Sequence, residues 1–597
     1  MIGADLSRSI AQIDMLLKRN EVAEAENIIA KALPQFPRQP ALYYFRAKVF
    51  RAKAEHKAAA ASLKQATQLA PNDAGLRAEY ARSLDDAGEH ALSVATYDEV
   101  LQRKPDFTDA AIDRAVVLAR RLNDERGFAE LERLGFAARP SLRALRNLAS
   151  VRYNAGQLDE AAKASSQGLA LSPEDPGFLR IDALIAFDRG KASSAKLQKA
   201  AVLNNDPSLQ LKVAAAHHAE GHSQSALDLL DALTSNHPSW VEAHRAFAYL
   251  ASETASSRDP LSTFERAARQ SPDHSAFWCE FARLSRLLHG EDAELEVLNR
   301  ALKCVRSTSE LDLARFAAMT ESKEPDSNAA LLDRIAQRID GEAIMAHVRW
   351  LARMHRFDEL ERRAETLLGT AWSRNAWPYL HLAWRGLASP KSEWLEQNGQ
   401  LVREIDLKDR TPPLTDLAQH LRTFHRTSNA PLEQSVRGGS QTDAALFNLD
   451  TAIIRDLREA MELGVNEYLA ELPRYDADHP LLSKGRDTFR FSGSWSVRLR
   501  DRGRHVAHYH SAGDISSAFY VALPDAIKAN DKNSLGGRLV LGQPPAEFGL
   551  DWDPVQCIVP VEGKLVLFPS WMWHGTTKFE NGERLSVAFD VTLPDPV

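Results

Sequence analysis

The sequence is poor in cysteine, in long apolar runs and in surplus positive charge. Three cysteines stand among 597 residues, Cys279, Cys304 and Cys557, scattered and odd in number. They exclude a disulfide framework and a Cys-x-x-Cys metal motif, and read as small buried side chains in a reducing compartment. No apolar run approaches the roughly 18 residues of a membrane span. Met1 to Asn20 carries Asp5, Arg8, Asp14, Lys18 and Arg19 and lacks the apolar core of a secretory signal. A cytoplasmic protein without a membrane partner is therefore expected. Lysine and arginine number 74 against 81 acidic residues, a net charge of −7. That balance leaves no basic excess to displace counterions, so no nucleic-acid partner is expected. The length calls for about two to four domains.

What is present first is a beat. Pro37, Pro71 and Pro105 are 34 residues apart, and Pro140, Pro173, Pro207, Pro238 and Pro272 continue at intervals of 31 to 35. Gly88, Gly156, Gly190 and Gly221 keep the same rhythm. A period of about 34 is the tetratricopeptide signature, two amphipathic helices per unit. Glycine serves the tight turn inside a pair, and proline stands where a helix stops. In one unit Ala81 lets the helices approach, while Leu84, Tyr97 and Leu101 fill the seam. In the second unit Glu55 replaces the turn glycine, and Gly127 falls off the beat. Stacked units make a superhelix with a groove suited to peptides or partner proteins; a scaffold that only holds subunits together is the plainer alternative. The solenoid is assigned to residues 1–290. From 291 to 405 the chain stays helical, the beat fades, and Trp350, Trp372, Trp377, Trp384 and Trp394 crowd together. That region reads as degenerate repeats that cap the solenoid and dock it on the next domain.

Arg410-Thr411-Pro412-Pro413 reads as a boundary and Arg437-Gly438-Gly439-Ser440 as a turn. A helix is expected from about Asp443 to Leu472, lying on the outer face of a sheet. After Pro480 the pattern is β, with strands at 494–500, 504–510, 516–523, 537–541, 555–560, 564–568 and 584–592. Turns are expected at Asp501-Arg502-Gly503, Asn533-Ser534-Leu535-Gly536-Gly537, Glu562-Gly563 and Asn581-Gly582. Seven or more short strands indicate a sandwich or barrel. His508 and His510 are two apart, so a strand points both imidazoles the same way. His574 follows the apolar run Lys564 to Phe568, which Pro569 breaks. Three imidazoles brought together suit iron, zinc, copper or nickel. Arg584, ten residues past His574, is a permanent cation that forks onto carboxylates.

These pieces, with Gln434 to Thr442, Ser517-Ala518-Phe519-Tyr520-Val521 and Phe568-Pro569-Ser570, resemble the Fe(II)- and 2-oxoglutarate-dependent oxygenases, and most of all the bacterial branch in which tetratricopeptide repeats precede the oxygenase domain. The resemblance covers roughly residues 400–597, and the domain is assigned to 406–597 as a double-stranded β-helix, or jelly roll, with flanking helices. It implies Fe(II), 2-oxoglutarate and O2 as cofactor and co-substrates. It implies metal ligation by His508, His510 and His574, and pairing of Arg584 with the distal carboxylate of 2-oxoglutarate, with Ser586 beside it and Tyr520 as a further contact. Catalytic roles would then fall to His508, His510, His574 and Arg584. Most of the superfamily has a carboxylate where His510 stands; Asp514 is the alternative donor. His505 reads as surface or outer shell, Trp571 and Trp573 as core or as substrate platforms, and Gln441 and Thr442 receive no role. The implied activity is hydroxylation of a protein or peptide side chain presented by the solenoid. Two alternatives stand beside it: a three-histidine dioxygenase that uses no 2-oxoglutarate, and a tetratricopeptide adaptor with an inactive oxygenase-like domain.

Overall fold

The computed structural model describes residues 2–595 except 255, 271, 307, 323–326, 426–434, 443–444 and 529–535. Gln434, Asp443 and the expected turn residues Asn533, Ser534 and Leu535 lie outside the described residues. Two compact units are present: residues 1–186 with 195–206, and 187–194 with 207–597. Among the described residues no helix is long and apolar enough to cross a membrane.

The first unit is all helical, built from pairs such as Pro40–Ala52 with His56–Leu69 and Ala74–Asp86 with His90–Arg103. Asp73 starts one helix by accepting the Leu76 N–H at 3.0 Å, which satisfies a backbone donor that the first turn cannot. Ala81, Leu84 and Tyr97 are buried between paired helices. The turn inside each pair puts one residue in the left-handed region: Asn20 (φ 61°), Ala54 (59°), Gly88 (85°), Asn123 (49°) and Gly156 (75°). The substituted glycine of the second pair is therefore Ala54, 34 residues before Gly88, and not Glu55. Gly127 sits inside a helix; a Cβ there would lie 2.5 Å from the Ala115 carbonyl oxygen, so it serves a close crossing and not a turn.

The second unit opens with the same kind of helix pair, Ser208–Ala219 with Ser223–Asn236, which turns at Gly221 (φ 87°). The beat expected to fade after 290 persists in the backbone at Gly290 (92°), His355 (56°) and Ala388 (50°). Its sequence signal is lost because His and Ala hold positions that glycine fills at lower cost.

Nine strands follow among the described residues: β1 Arg403–Asp406, β2 Val436–Gln441, β3 Arg490–His505, β4 Ile515–Ala522, β5 Leu539–Leu541, β6 Gln556–Ile558, β7 Lys564–Pro569, β8 His574–Thr576 and β9 Glu583–Thr592. Six form an antiparallel sheet in the order β1-β7-β4-β9-β3-β2, and three a smaller sheet in the order β6-β5-β8. One face of the large sheet offers Phe519, Leu567, Val587 and Phe589 to Ile454, Leu457, Met461 and Tyr468 of the helix Ala452–Glu471. The other face, with Val497, Leu499, Tyr520, Val566 and Phe568, shares a core with Trp350, Tyr379 and Trp384 of the preceding helices.

Several expectations are corrected. The expected turn at Arg437-Gly438-Gly439-Ser440 is strand β2. It bulges at Gly438 (φ 73°), and a Cβ on Gly439 would meet the Arg498 carbonyl oxygen at 2.3 Å. Asp501-Arg502-Gly503 is no hairpin turn; β3 runs through it, kinked where Arg502 adopts φ 63°. The strand expected at 504–510 ends at His505. The helix expected from Asp443 starts at Ala452, after a short turn at Leu446–Asn448. Arg410-Thr411-Pro412-Pro413 links β1 to the helix Leu414–Arg422, so it lies within the sheet-bearing part and not at its edge; β1 itself precedes residue 406.

Candidate metal centre

Beyond β3 the chain stays extended and lies against β8. His508 donates its N–H to the His574 carbonyl at 3.0 Å, and His574 returns the bond at 2.8 Å. The His510 N–H reaches the Ser570 carbonyl at 3.0 Å. These backbone bonds fix three imidazoles that are remote in sequence. Ring centroids lie 4.2 Å apart for His508 and His574, 5.1 Å for His508 and His510, and 5.0 Å for His510 and His574. One ring nitrogen of each lies within 4.8 Å of the other two.

The partners of the rings set the tautomers. His508 Nδ1 faces the Val506 carbonyl at 2.8 Å, and His574 Nδ1 the Met572 carbonyl at 2.9 Å. A carbonyl only accepts, so each Nδ1 carries the hydrogen and each Nε2 keeps its lone pair. His510 Nδ1 lies 2.7 Å from Asp590 Oδ1. Burial, reinforced by His510, pushes His508 down to about 4, and burial and the neighbouring histidines hold His574 well below the usual range. Both are neutral at physiological pH, the form that ligates a metal.

Asp514 does not join this group. Both its oxygens accept from Arg374 Nη2, at 2.9 and 3.0 Å, and one also accepts the Leu593 N–H at 2.8 Å. His510 is the residue brought to the other two histidines. His505 is not a surface group: its Nδ1 lies 2.8 Å from Ser435 Oγ, and its ring stacks at 5.9 Å from His508. Trp571 and Trp573 are buried, and Trp573 Nε1 donates to the Pro378 carbonyl at 3.3 Å. Thr442 extends the β2–β3 ladder, accepting the Ser496 N–H at 2.9 Å.

On β9, Arg584 and Ser586 share a face, and Tyr520 of β4 stands directly opposite Ser586. All three are buried. The Arg584 guanidinium lies 5.2 Å from the Tyr520 ring centroid, and no carboxylate among the described residues pairs with it. Arg584 Nε and the Tyr520 hydroxyl are buried without hydrogen-bond partners. Burial lowers the Arg584 pKa from its ordinary value and raises that of Tyr520. A buried cation with orphaned donors beside it is costly alone and suits a buried anion. The three clustered imidazole nitrogens and this anion-ready corner together fit a divalent metal with a carboxylate-bearing co-ligand.

A cavity of about 200 Å³ has His510 in its wall, with Arg374, Trp377, Leu481, Lys484, Gly513 and Trp571. Sequence reasoning missed Asp590, Ser516 and Arg374. The first had a signal, because Asp590 lies on the Arg584–Ser586 face of β9 by simple alternation. A second cluster, His217, Glu220 and His222, also brings ligand atoms within 4.8 Å. Its Glu220 is already committed as a cap, accepting the N–H groups of Ser193 and Ser194 at 2.8 and 2.9 Å.

Residues 493–590 match the family model described as "Putative 2OG-Fe(II) oxygenase", a span that contains every histidine of the centre and Tyr520, Arg584, Ser586 and Asp590. No curated protein matches the chain. Among solved structures, the chain is similar to PilW, a type IV pilus biogenesis factor, at 18% identity over 34% of this chain and 96% of that one, TM-score 0.30. It is similar to YrrB, described as a TPR protein with an unusual peptide-binding site, at 16% identity over 29% and 90%, TM-score 0.25. It is similar to yeast Tom70 at 14% identity over 67% and 100%, TM-score 0.32.

Proposed function

We propose that the sheet-bearing part, from about residue 403 to 597, is a double-stranded β-helix oxygenase that uses Fe(II), 2-oxoglutarate and O2 to hydroxylate a protein or peptide side chain. The single observation that carries the reading is the conjunction, within the matched span, of three inward imidazole nitrogens with the unpaired Arg584. His508, His510 and His574 would hold the metal. Fe(II), with 2-oxoglutarate bound, supplies the oxygen activation that attacks an unactivated C–H bond. The chain's own groups bind and orient. Arg584 pairs with the distal carboxylate of 2-oxoglutarate, the Tyr520 hydroxyl donates to the same carboxylate, and Ser586 lies beside it. Carbonyls of Val506 and Met572 lock the rings of His508 and His574. The apolar wall of Phe568, Val566 and Val497 excludes water. Substrate enters by the cavity at His510, between the helix Ser373–Gly386 and Trp571. The tetratricopeptide-like helical repeats of residues 1–290 would bind the protein or peptide partner.

The test is anaerobic titration of the full-length protein with Fe(II) and 2-oxoglutarate, following the metal-to-ligand charge-transfer band. The band is expected in the native protein, absent from His574→Ala, and to require far more 2-oxoglutarate in Arg584→Ala. No band in the native protein would leave the helical repeats as the working part. Oxygen uptake that is independent of 2-oxoglutarate would mark a three-histidine dioxygenase instead.

A further inference from the structure

His508 and His574 are each steadied by a neutral backbone carbonyl, whereas His510 faces a carboxylate, Asp590 Oδ1 at 2.7 Å. Asp590 is buried, at 5% exposure. Its Oδ1 also accepts from Ser516 Oγ at 2.7 Å, and Ser516 Oγ lies 2.9 Å from Ser570 Oγ. The pocket is closed by Gly513, where a Cβ would stand 3.0 Å from both the Asp590 Cβ and Ser570 Oγ. No lysine or arginine among the described residues pairs with Asp590; its one charge-capable partner is His510. A buried carboxylate left without a cation is unfavourable unless something nearby supplies the charge.

We propose that Asp590 is the carboxylate of this centre, acting through His510 and not by direct ligation. The inference rests on the three-imidazole reading above. The hydrogen bond makes the His510 imidazole a stronger donor and fixes its ring, as outer carboxylates do for metal-bound histidines. The site thereby recovers the negative charge that a carboxylate ligand would have brought. The two charges of Fe(II) match the two carboxylates of 2-oxoglutarate, and the Asp590 charge matches that of Arg584. Asp590 is a positioning residue: it touches neither co-substrate nor reacting atom.

Co(II), which is stable in air and visible through its d–d bands, is the probe, titrated into the full-length protein. Asp590→Asn keeps the size and an acceptor oxygen but removes the charge. The expected result is an unchanged melting transition, roughly ten- to hundredfold weaker Co(II) binding and shifted d–d bands. A purely structural Asp590 would move the melt and leave the affinity of the folded protein alone. Wild-type affinity with a wild-type spectrum overturns the proposal. Should the amide disturb the loop, Asp590→Ala is titrated with added formate or formamide. Recovery by formate alone supports the charge relay, and no recovery overturns it. His574→Ala separates the two levels. If it loses Co(II) while Asp590→Asn does not, this inference falls and the centre stands; if it binds Co(II) as the native protein does, the centre itself is wrong.

Discussion

Arg584→Met should do two opposite things at once. The side chain is 2% exposed, has a cation–π contact at 5.2 Å as its charge partner, and leaves Nε unsatisfied. Replacing even a buried ion pair by apolar chains of similar volume is often neutral or stabilising by about 1–4 kcal/mol, and an unpaired buried charge should gain on the same scale. For a domain of this size that is a rise of about 2–4 °C per kcal/mol in the melt of the metal-free protein. On the proposed reading the same change removes a cation that holds the co-substrate's distal carboxylate, a loss of about 3–5 kcal/mol, or about two to three and a half powers of ten in 2-oxoglutarate affinity. Scanning calorimetry of the apo protein and anaerobic isothermal titration with 2-oxoglutarate, Fe(II) present, read the two arms. An apo protein destabilised by the methionine, together with unchanged 2-oxoglutarate affinity, would refute the reasoning, because Arg584 would then be a structural ion with its own partner.

Tyr520→Phe removes a buried hydroxyl without a partner. The apo fold should lose no more than about 0.5 kcal/mol while 2-oxoglutarate binds about three- to tenfold more weakly, seen in the same titration. His244 and His425 are each pushed by burial from 6.5 to about 4. Their folded pKa lies below the unfolded one, so the unfolded chain takes up the protons. Stability is intact above 6.5 and falls as pH drops toward 4, by about 2 kcal/mol for each histidine between about pH 7 and pH 5. Urea midpoints across that range check it, and His425→Asn should flatten the slope. Gly439→Val places a branched side chain where a Cβ already meets the Arg498 carbonyl at 2.3 Å. The β2–β3 edge should open, with a loss of about 3 kcal/mol or more, measurable as faster amide exchange at Ser496 and Arg498, whose backbone groups face β2.

How much of this could be read from residues alone follows from where each contact lies. The His508–His510 pair was legible because two-residue spacing in an extended chain carries its own geometry, and Arg584 with Ser586 for the same reason. The outer helix was legible from its apolar spacing, though its start was not, because Leu446–Asn448 is a separate turn. β2 was hidden because glycines that signal a turn here permit close strand approach. β3 reads as two strands because Asp501-Arg502-Gly503 has the composition of a turn; the strand runs through it, leaving β9 after Arg500 and resuming its pairing with β2 at Arg504. The turns at Ala54 and His355 were hidden because those residues adopt glycine's conformation against their own preference. Asp514 and Asp590 could not be told apart by sequence distance. The nearer one is claimed by Arg374, and the one 80 residues away reaches His510.

The helix Ser373–Gly386 is fastened to the sheets at several points. Arg374 holds Asp514, the Pro378 carbonyl receives Trp573, Arg385 donates to the Gly542 and Asp553 carbonyls, and Tyr379 packs edge-on against Trp573 at 5.8 Å. Gene shuffling therefore has little freedom here. A shorter chain starting at β1 would bare Trp573, Phe548 and Tyr509 to water and release the loop that carries His510. Recombination that preserves the site must exchange the last helical pairs together with the sheets, as one heritable piece.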